Sequence, residues 1–186
     1  MECIIFAKRS VRFPGKQMFP IDGVPIIQII VSKLQHMQIF GEIIIFTKDP
    51  EIRAENATII EDHTDGIITD SLLTAVERFG EFFALAGDMP LVDRGFIAYM
   101  MAQYRGKPLF PVHSDGTIEP LHGIYNFKLL KDMKEYVSNG GKSIFRFLET
   151  EDIDTITIEQ KYEYSFLNVN YPEDLKKLDE FREKLF

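Results

Sequence analysis

Leu85-Ala86-Gly87-Asp88-Met89-Pro90-Leu91-Val92 continues the apolar run FFALA of residues 82–86 and stops it abruptly with glycine, aspartate and proline. A short apolar run bounded by turn residues reads as a buried strand of a parallel sheet. In an open α/β sheet the ligand crevice lies beyond the carboxyl ends of the strands, so Asp88 stands where a carboxylate can hold a phosphate-bound metal. The first apolar run, Glu2 to Phe6, ends in AKRSVRFPGK, residues 7–16. Lys8, Arg9, Arg12 and Lys16 fall in that segment with no acidic residue among them. They occupy a strand-to-helix turn, whose backbone N–H groups also attract an anion. Cations at one strand end and a metal-ligand carboxylate at another describe a nucleotide site.

Outward from these two turns, strands and helices alternate. CIIFA, EIIIFT, TIIE and FFALA read as buried strands. Between them, Pro25 to Met37 carries a helical stripe of Ile26, Ile27, Ile30, Val31 and Leu34, with Pro25 at the first helical position. Asp70 to Phe79 is a second helix with Thr69 or Asp70 as its N-cap, and Asp93 to Gln103 is a third. This order predicts an α/β fold, a mainly parallel Rossmann-like sheet with right-handed crossovers and helices on both faces. After residue 106 the rhythm changes. KPLFPVHSDGTIEPLHGIYN predicts a hairpin around Asp115-Gly116. A helix from Leu129 to Ser138 follows, with glycines suited to a left-handed cap, then a short helix within Lys142 to Glu149 and a strand from Asp152 to Thr157. Pro172 opens a last helix, Glu173 to Lys184. The chain is therefore expected to be one domain, with a nucleotide-binding half (1–105) and an acceptor side (106–186) built around a small β-hairpin subdomain.

Composition narrows the function. With 186 residues, 45% of them hydrophobic, the chain can bury a sizeable core, and its single cysteine, Cys3, sits inside the first strand and permits no intrachain disulfide. No apolar run approaches the ~20 residues of a membrane span, and the start lacks a signal-peptide layout, so a cytoplasmic protein is expected. A formal net charge of −8 argues against broad nucleic-acid binding. A monomer or small homo-oligomer acting on small molecules is expected.

Four segments in order, AKRSVRFPGKQMFPIDGVPII, LAGDMPLV, SDGTIEPLHGIYN and FLNVNYPEDLKKL, carry a resemblance over nearly the whole chain. The sequence resembles the molybdenum cofactor guanylyltransferase family, within the nucleotidyltransferases that include sugar-nucleotide pyrophosphorylases. The resemblance implies Mg²⁺-dependent transfer of GMP from GTP to a molybdopterin-type phosphorylated acceptor, with release of pyrophosphate. By the same resemblance Lys16 is the phosphate-binding lysine, Arg12 the arginine of the loop, and Asp88 the magnesium ligand. Phe6, Ala7, Lys8 and Arg9 fall on the nucleotide-binding loop, and Asp62 of TIIED matches an aspartate that takes part in nucleotide binding. Asn170 matches a second metal-side ligand, with Asn168 close by; capping of the helix after Pro172 is an equally simple role for either. Lys142 matches a basic position near the acceptor phosphate, so Lys142, Asn168 and Asn170 form the expected acceptor side.

Other residues read more plainly. Met18, Phe19 and Ile21 are expected in the core or as staple residues, and Glu119, Pro120 and His122 on a strand facing the acceptor. The family's loop begins Ala-Gly-Gly, whereas Lys8 and Arg9 follow Ala7 here. AKRSVRFPGK is also similar to the loop of cytidylyltransferases that activate sialic acid and related acidic sugars. Three readings therefore stand side by side: a guanylyltransferase, a cytidylyl- or guanylyltransferase for another phosphorylated or acidic acceptor, and a nucleotide-binding regulatory domain without turnover.

Overall fold

The computed structural model describes residues 1–186. Nine strands form: β1 (Glu2–Ala7), β2 (Pro20–Ile21), β3 (Val24–Pro25), β4 (Ile43–Thr47), β5 (Thr58–Glu61), β6 (Phe82–Ala86), β7 (Leu109–Val112), β8 (His122–Tyr125) and β9 (Asp154–Thr157). The α-helices are α1 (Ile26–Met37), α2 (Ile68–Phe79), α3 (Arg94–Gln103), α4 (Leu130–Ser138), α5 (Ile144–Leu148) and the short α6 (Leu175–Leu178). Seven strands make one sheet in the order β5-β4-β1-β6-β8-β7-β9, and β2 pairs with β3 apart from it. The ladders β5-β4-β1-β6 and β7-β9 are parallel, while β8 is antiparallel to both neighbours, so β8 alone runs against the rest.

The period of two in a strand divides the core. Cys3, Ile5 and Ala7 of β1 face one apolar cluster and Ile4 and Phe6 the other. On the first face pack α1, through Ile26, Ile30 and Leu34, and α3, through Phe96, Ile97 and Met100, with Leu178 and Leu185 of the C-terminal turns. On the second face pack α2, through Leu72 and Val76, α4 through Met133, and α5 through Ile144 and Phe147. Each such side chain contributes about 1.5–3 kcal/mol on burial. From β1 the chain moves to β4 and β5 on one side, then returns through α2 to β6 on the other. That reversal puts the crevice between the carboxyl ends of β1 and β6, the two turns singled out by the sequence.

Some expectations are revised. TIIE forms β5, but it is the sheet edge and largely exposed, with Ile59 40% accessible, so its isoleucines cover one face only. The N-cap of α2 is Ile67; Thr69 is buried inside the helix, and Asp70 reaches back to accept from the Ile67 N–H at 2.9 Å. Pro25 caps α1 rather than opening it. The hairpin is real, with a Val112–Ile118 bridge around the Asp115-Gly116 turn, yet β7 and β8 lengthen the main sheet instead of standing apart. The last helix is broken: 3-10 turns at Pro172–Asp174 and Asp179–Lys184 flank α6, and Phe181 leaves helical geometry to stack on Tyr164. A 3-10 segment at Gln160–Phe166 was not foreseen. Phe19 lies half-exposed against the Phe13 ring, while Met18 and Ile21 pack on the core. No helix is long and apolar enough to cross a membrane.

One buried cation ties these parts together. The Lys33 ammonium of α1 donates to the carbonyls of Pro90 (2.9 Å) and Val92 (3.3 Å), just after Asp88, and to the carbonyl of Lys184 near the C-terminus. Burial lowers its pKa to about 8, with the Asp93 charge opposing that fall. Replacing Lys33 leaves buried carbonyls unpaired, which costs about 1–3 kcal/mol for each one water cannot reach. The Lys33→Ala variant is expected to lose about 2–4 kcal/mol of stability, read from the urea midpoint; a midpoint equal to that of the parent would contradict this bracing role.

Candidate active site

The loop after β1 is shaped by a few local bonds. Ser10 Oγ accepts from the Phe13 N–H at 3.1 Å, and the buried Gln17 donates through Nε2 to the Lys8 carbonyl at 2.9 Å. Gly15 takes φ +70, a left-handed conformation that other residues rarely adopt, and so turns the chain to place Lys16 at the start of a 3-10 turn. Lys16 is thereby buried beneath the loop.

The turn after β6 is pressed against β1. The Gly87 N–H donates to the Phe6 carbonyl at 3.0 Å, and a Cβ at Gly87 would stand 3.1 Å from Ala7 Cβ and 3.2 Å from that carbonyl oxygen. Only glycine passes there without displacing the backbone. Asp88 follows, and its own carbonyl accepts from the Val169 N–H at 2.9 Å, which draws in the segment before Pro172. The three pieces meet at one ammonium. Lys16 Nζ donates to Asp88 Oδ2 at 2.5 Å and to Asn170 Oδ1 at 3.1 Å, with both charged side chains largely buried.

These groups line an open cleft of about 440 Å³ that also takes in Lys8, Arg9, Arg12 and Leu121. Its lining residues hold four cations, Lys8, Arg9, Arg12 and Lys16, against the single carboxylate of Asp88, on a chain of net charge −8. Such a focused positive field suits a polyphosphate. The Arg12 guanidinium lies over the Tyr171 ring, 5.4 Å from its centroid. A second, smaller pocket adjoins the cleft through Phe6, Lys8 and Ile68, and includes Ala7, Phe46, Lys48 and Asp62. Asp62 is buried there; its Oδ2 accepts from Ser71 Oγ at 2.5 Å and its Oδ1 from the Thr64 N–H at 3.0 Å.

The structure thus brings Phe6, Lys8, Arg9, Arg12, Lys16, Asp88 and Asn170 to one cleft, and Ala7 and Asp62 to the pocket beside it. Two expected acceptor residues are elsewhere. Lys142 gives its carbonyl to Thr69 and lines a separate cleft with Asp70, Val137 and Gly141, because the glycine turn after α4 carries it past α2. Asn168 donates its amide to the Phe166 carbonyl, a local bond that turns it away from the cleft lining. Neither asparagine side chain caps the following turn; the Asp174 carboxylate accepts from the N–H groups of Asn170 and Tyr171, which leaves the Asn170 amide free for Lys16.

His122 corrects a further expectation. It is fully buried with both ring nitrogens unpartnered, among the rings of Phe83, Phe96 and Phe166, because β8 turns it toward the core face rather than the acceptor. A histidine not singled out earlier, His113, lies between Glu119 (2.9 Å) and Glu163 (3.0 Å). Burial works to lower the His113 pKa, but the two carboxylates outweigh it and raise it. Glu119 itself is raised by burial against the pull of His113, with Glu163 and Asp88 adding to the rise. Gln17, Lys33 and Lys48 also escaped the sequence reading, since each acts through a contact distant in the chain; only Gln17, next to Lys16, lay within a quoted motif.

Residues 3–153 match the pattern of the MobA-like NTP transferase domain. The chain belongs to the MobA-like NTP transferase family. Members of this family are nucleotidyltransferases, and so is this protein. Among curated relatives, a probable molybdenum cofactor guanylyltransferase of Thermococcus kodakarensis is 29% identical, covering 96% of this chain and 94% of its own. The fold is shared with molybdopterin-guanine dinucleotide biosynthesis protein A of Archaeoglobus fulgidus, at TM-score 0.76 and 21% identity over 97% of this chain and 99% of that one. It is also shared with a CMP:2-keto-3-deoxy-manno-octonic acid synthetase complexed with CTP, at TM-score 0.73 and 15% identity over 100% of both chains.

The unpartnered His122 makes the domain acid-labile. Burial lowers its pKa from 6.5 to about 3, so the neutral ring is retained in the folded state while the unfolded chain takes up a proton. Stability from this group is complete above about pH 6.5 and is lost as pH falls toward about 3. A His122→Leu variant is expected to show a shallower decline of urea midpoint between those values than the parent; equal slopes would contradict the assignment.

Proposed function

We propose that this nucleotidyltransferase transfers GMP from GTP to a molybdopterin-type phosphorylated acceptor, with release of pyrophosphate and with Mg²⁺ as the metal. The reading rests on one observation above all, the convergence of Lys16, Asp88 and Asn170 in a cation-rich cleft at the carboxyl ends of β1 and β6. The name borne by the Thermococcus relative supplies the base and acceptor. In the proposed division of labour, residues 1–105 hold the nucleotide and residues 106–186 the acceptor. The cleft supports that division, being built from Phe6, residues 8–12, Lys16, Gln17, Ile68, Ala86 and Asp88 on one side and completed by Leu121 and Asn170. The proposed setting is the cytoplasm.

The donor set fits a hard divalent cation. Asp88 Oδ2 and Asn170 Oδ1 are hard oxygens that already share one cation, the Lys16 ammonium. Asp88 and Asn170 would hold Mg²⁺, which would supply charge neutralisation at the phosphates. The chain's own groups do the rest. Arg12 and Lys16 bind oxygens of the triphosphate, Arg12 through its guanidinium fork and Lys16 as a point charge. An oxygen of the acceptor phosphate attacks the α-phosphorus of GTP; the new P–O bond forms as the bond to the β-phosphate bridging oxygen breaks, and pyrophosphate leaves. An anionic acceptor phosphate needs no strong base, so positioning and neutralisation of charge carry the rate. Acceptor contact is proposed for Asn170; Lys142 and Asn168 face other surroundings and are left out.

A cytidylyl reading has one observation in its favour, the charged pair Lys8-Arg9 at the cleft, within a loop similar to that of acidic-sugar cytidylyltransferases. Pyrophosphate release measured with GTP, CTP, ATP and UTP, each with and without molybdopterin, separates the two. Release that requires GTP and molybdopterin together is expected, and Lys16→Ala and Asp88→Ala are each expected to slow it by about 10²-fold or more. A preference for CTP would overturn the base, and unchanged rates in both variants would overturn the site.

A further inference from the structure

The pocket beside the cleft contains a pair of opposite charges that the reaction does not use. Lys48, just beyond the end of β4, points its ammonium at the Gly66 carbonyl, 3.0 Å away, and stands 3.7 Å from Asp62 Oδ2, beyond hydrogen-bond distance. Around the pair are apolar walls from Phe6, Phe46, Ile67 and Ile68. Because Phe6, Lys8 and Ile68 line both cavities, a nucleotide with its phosphates on Lys16 and Arg12 has this pocket as a neighbour.

The charges can be compared with the edges of the four bases. Guanine presents one acceptor, O6, next to two donors, N1–H and the 2-amino group. Cytosine presents a donor with two acceptors, adenine a donor with an acceptor, and uracil one donor between two acceptors. Guanine alone sets two adjacent donors against the carboxylate, which accepts from N1–H and the 2-amino group while the ammonium beside it donates to O6. Asp62 keeps acceptor capacity for this, since each of its oxygens has one hydrogen-bond partner. Lys48 keeps donor capacity, since its ammonium has three hydrogens and makes one hydrogen bond.

Resting on the guanylyl reading, we propose that Lys48 is the residue that selects the base, by donating to guanine O6. The free volume of the pocket is about 20 Å³, room for one water and not for a base. Admission of the base therefore requires the 63–67 segment to move outward, and one bond that holds it is Lys48 to the Gly66 carbonyl, beside those of Thr64 to Asp62 and Ser71 and of Ile67 to Asp70. Lys48 exchanges that carbonyl for O6, so the same ammonium helps hold the segment over the pocket and reads the incoming base.

Binding of three probes to the full chain tests this: GTP, 2-aminopurine riboside triphosphate, which keeps the 2-amino group and lacks both O6 and N1–H, and inorganic tripolyphosphate. In the parent, GTP is expected to bind at least tenfold more tightly than the 2-aminopurine analogue. In Lys48→Met that ratio is expected to shrink about tenfold, with tripolyphosphate affinity unchanged, and Lys48→Arg is expected to restore part of it. Equal loss for both nucleotides in Lys48→Met, or no loss for either, would overturn the role of Lys48. Failure of the guanylyl reading shows separately in the parent chain, as tighter binding of CTP than of GTP.

Discussion

Everything in the site depends on one buried ammonium shared by two oxygens. Lys16 Nζ, from the loop after β1, bonds Asp88, just after β6, and Asn170, on the approach to the C-terminal turns. A buried charge left unpaired costs several kcal/mol, so the fold is constrained to deliver all three groups together. The means are backbone bonds of ordinary kind: Gly87 against Phe6, Asp88 holding Val169, and Lys33 gathering the carbonyls of Pro90, Val92 and Lys184. In the proposed reaction the Lys16 pair is also a stored binding site. A polyphosphate that draws the ammonium away would leave two oxygens, of Asp88 and Asn170, that would hold a divalent cation.

The sheet explains why this position is available. Six strands run one way, so their carboxyl ends gather on a single rim, and the change of direction after β5 opens the crevice between β1 and β6. The reversed strand β8 seals β6 on its far side, and its Gly123 lets the Phe110 ring lie where a Cβ would stand 2.2 Å from it. Residues 1–105 are thus continuous with residues 106–186 through one sheet, and the cleft borrows Leu121 and Asn170 from the latter.

Local signals were legible in the sequence, and distant pairings were not. Asp88 and the basic loop announced themselves because a strand that ends in glycine, charge and proline has few other readings, and the apolar stripe of α1 and the capping signals of α2 located those helices. Asp62, expected from the resemblance, does sit in the pocket next to the cleft. His122 misled because alternation along a strand fixes two faces without saying which is inner, and β8 carries histidine toward the aromatic core. Lys142 and Asn168 lie outside the cleft lining for different reasons: the glycine turn after α4 carries Lys142 beside α2, and Asn168 spends its amide on the local Phe166 carbonyl. Lys33 and Lys48 were invisible for another reason: a lone lysine in a helix or after a strand looks like surface until carbonyls from other segments close on it.

The account's central claim is that nucleotide takes Lys16 from Asp88. A crystal structure of the full chain with a non-hydrolysable GTP analogue and Mg²⁺ tests it directly. The account predicts Lys16 Nζ on the triphosphate oxygens, Mg²⁺ on Asp88 Oδ2, and the base turned toward Lys48 and Asp62. Nucleotide bound elsewhere, with the 2.5 Å contact of Lys16 to Asp88 intact, would contradict it.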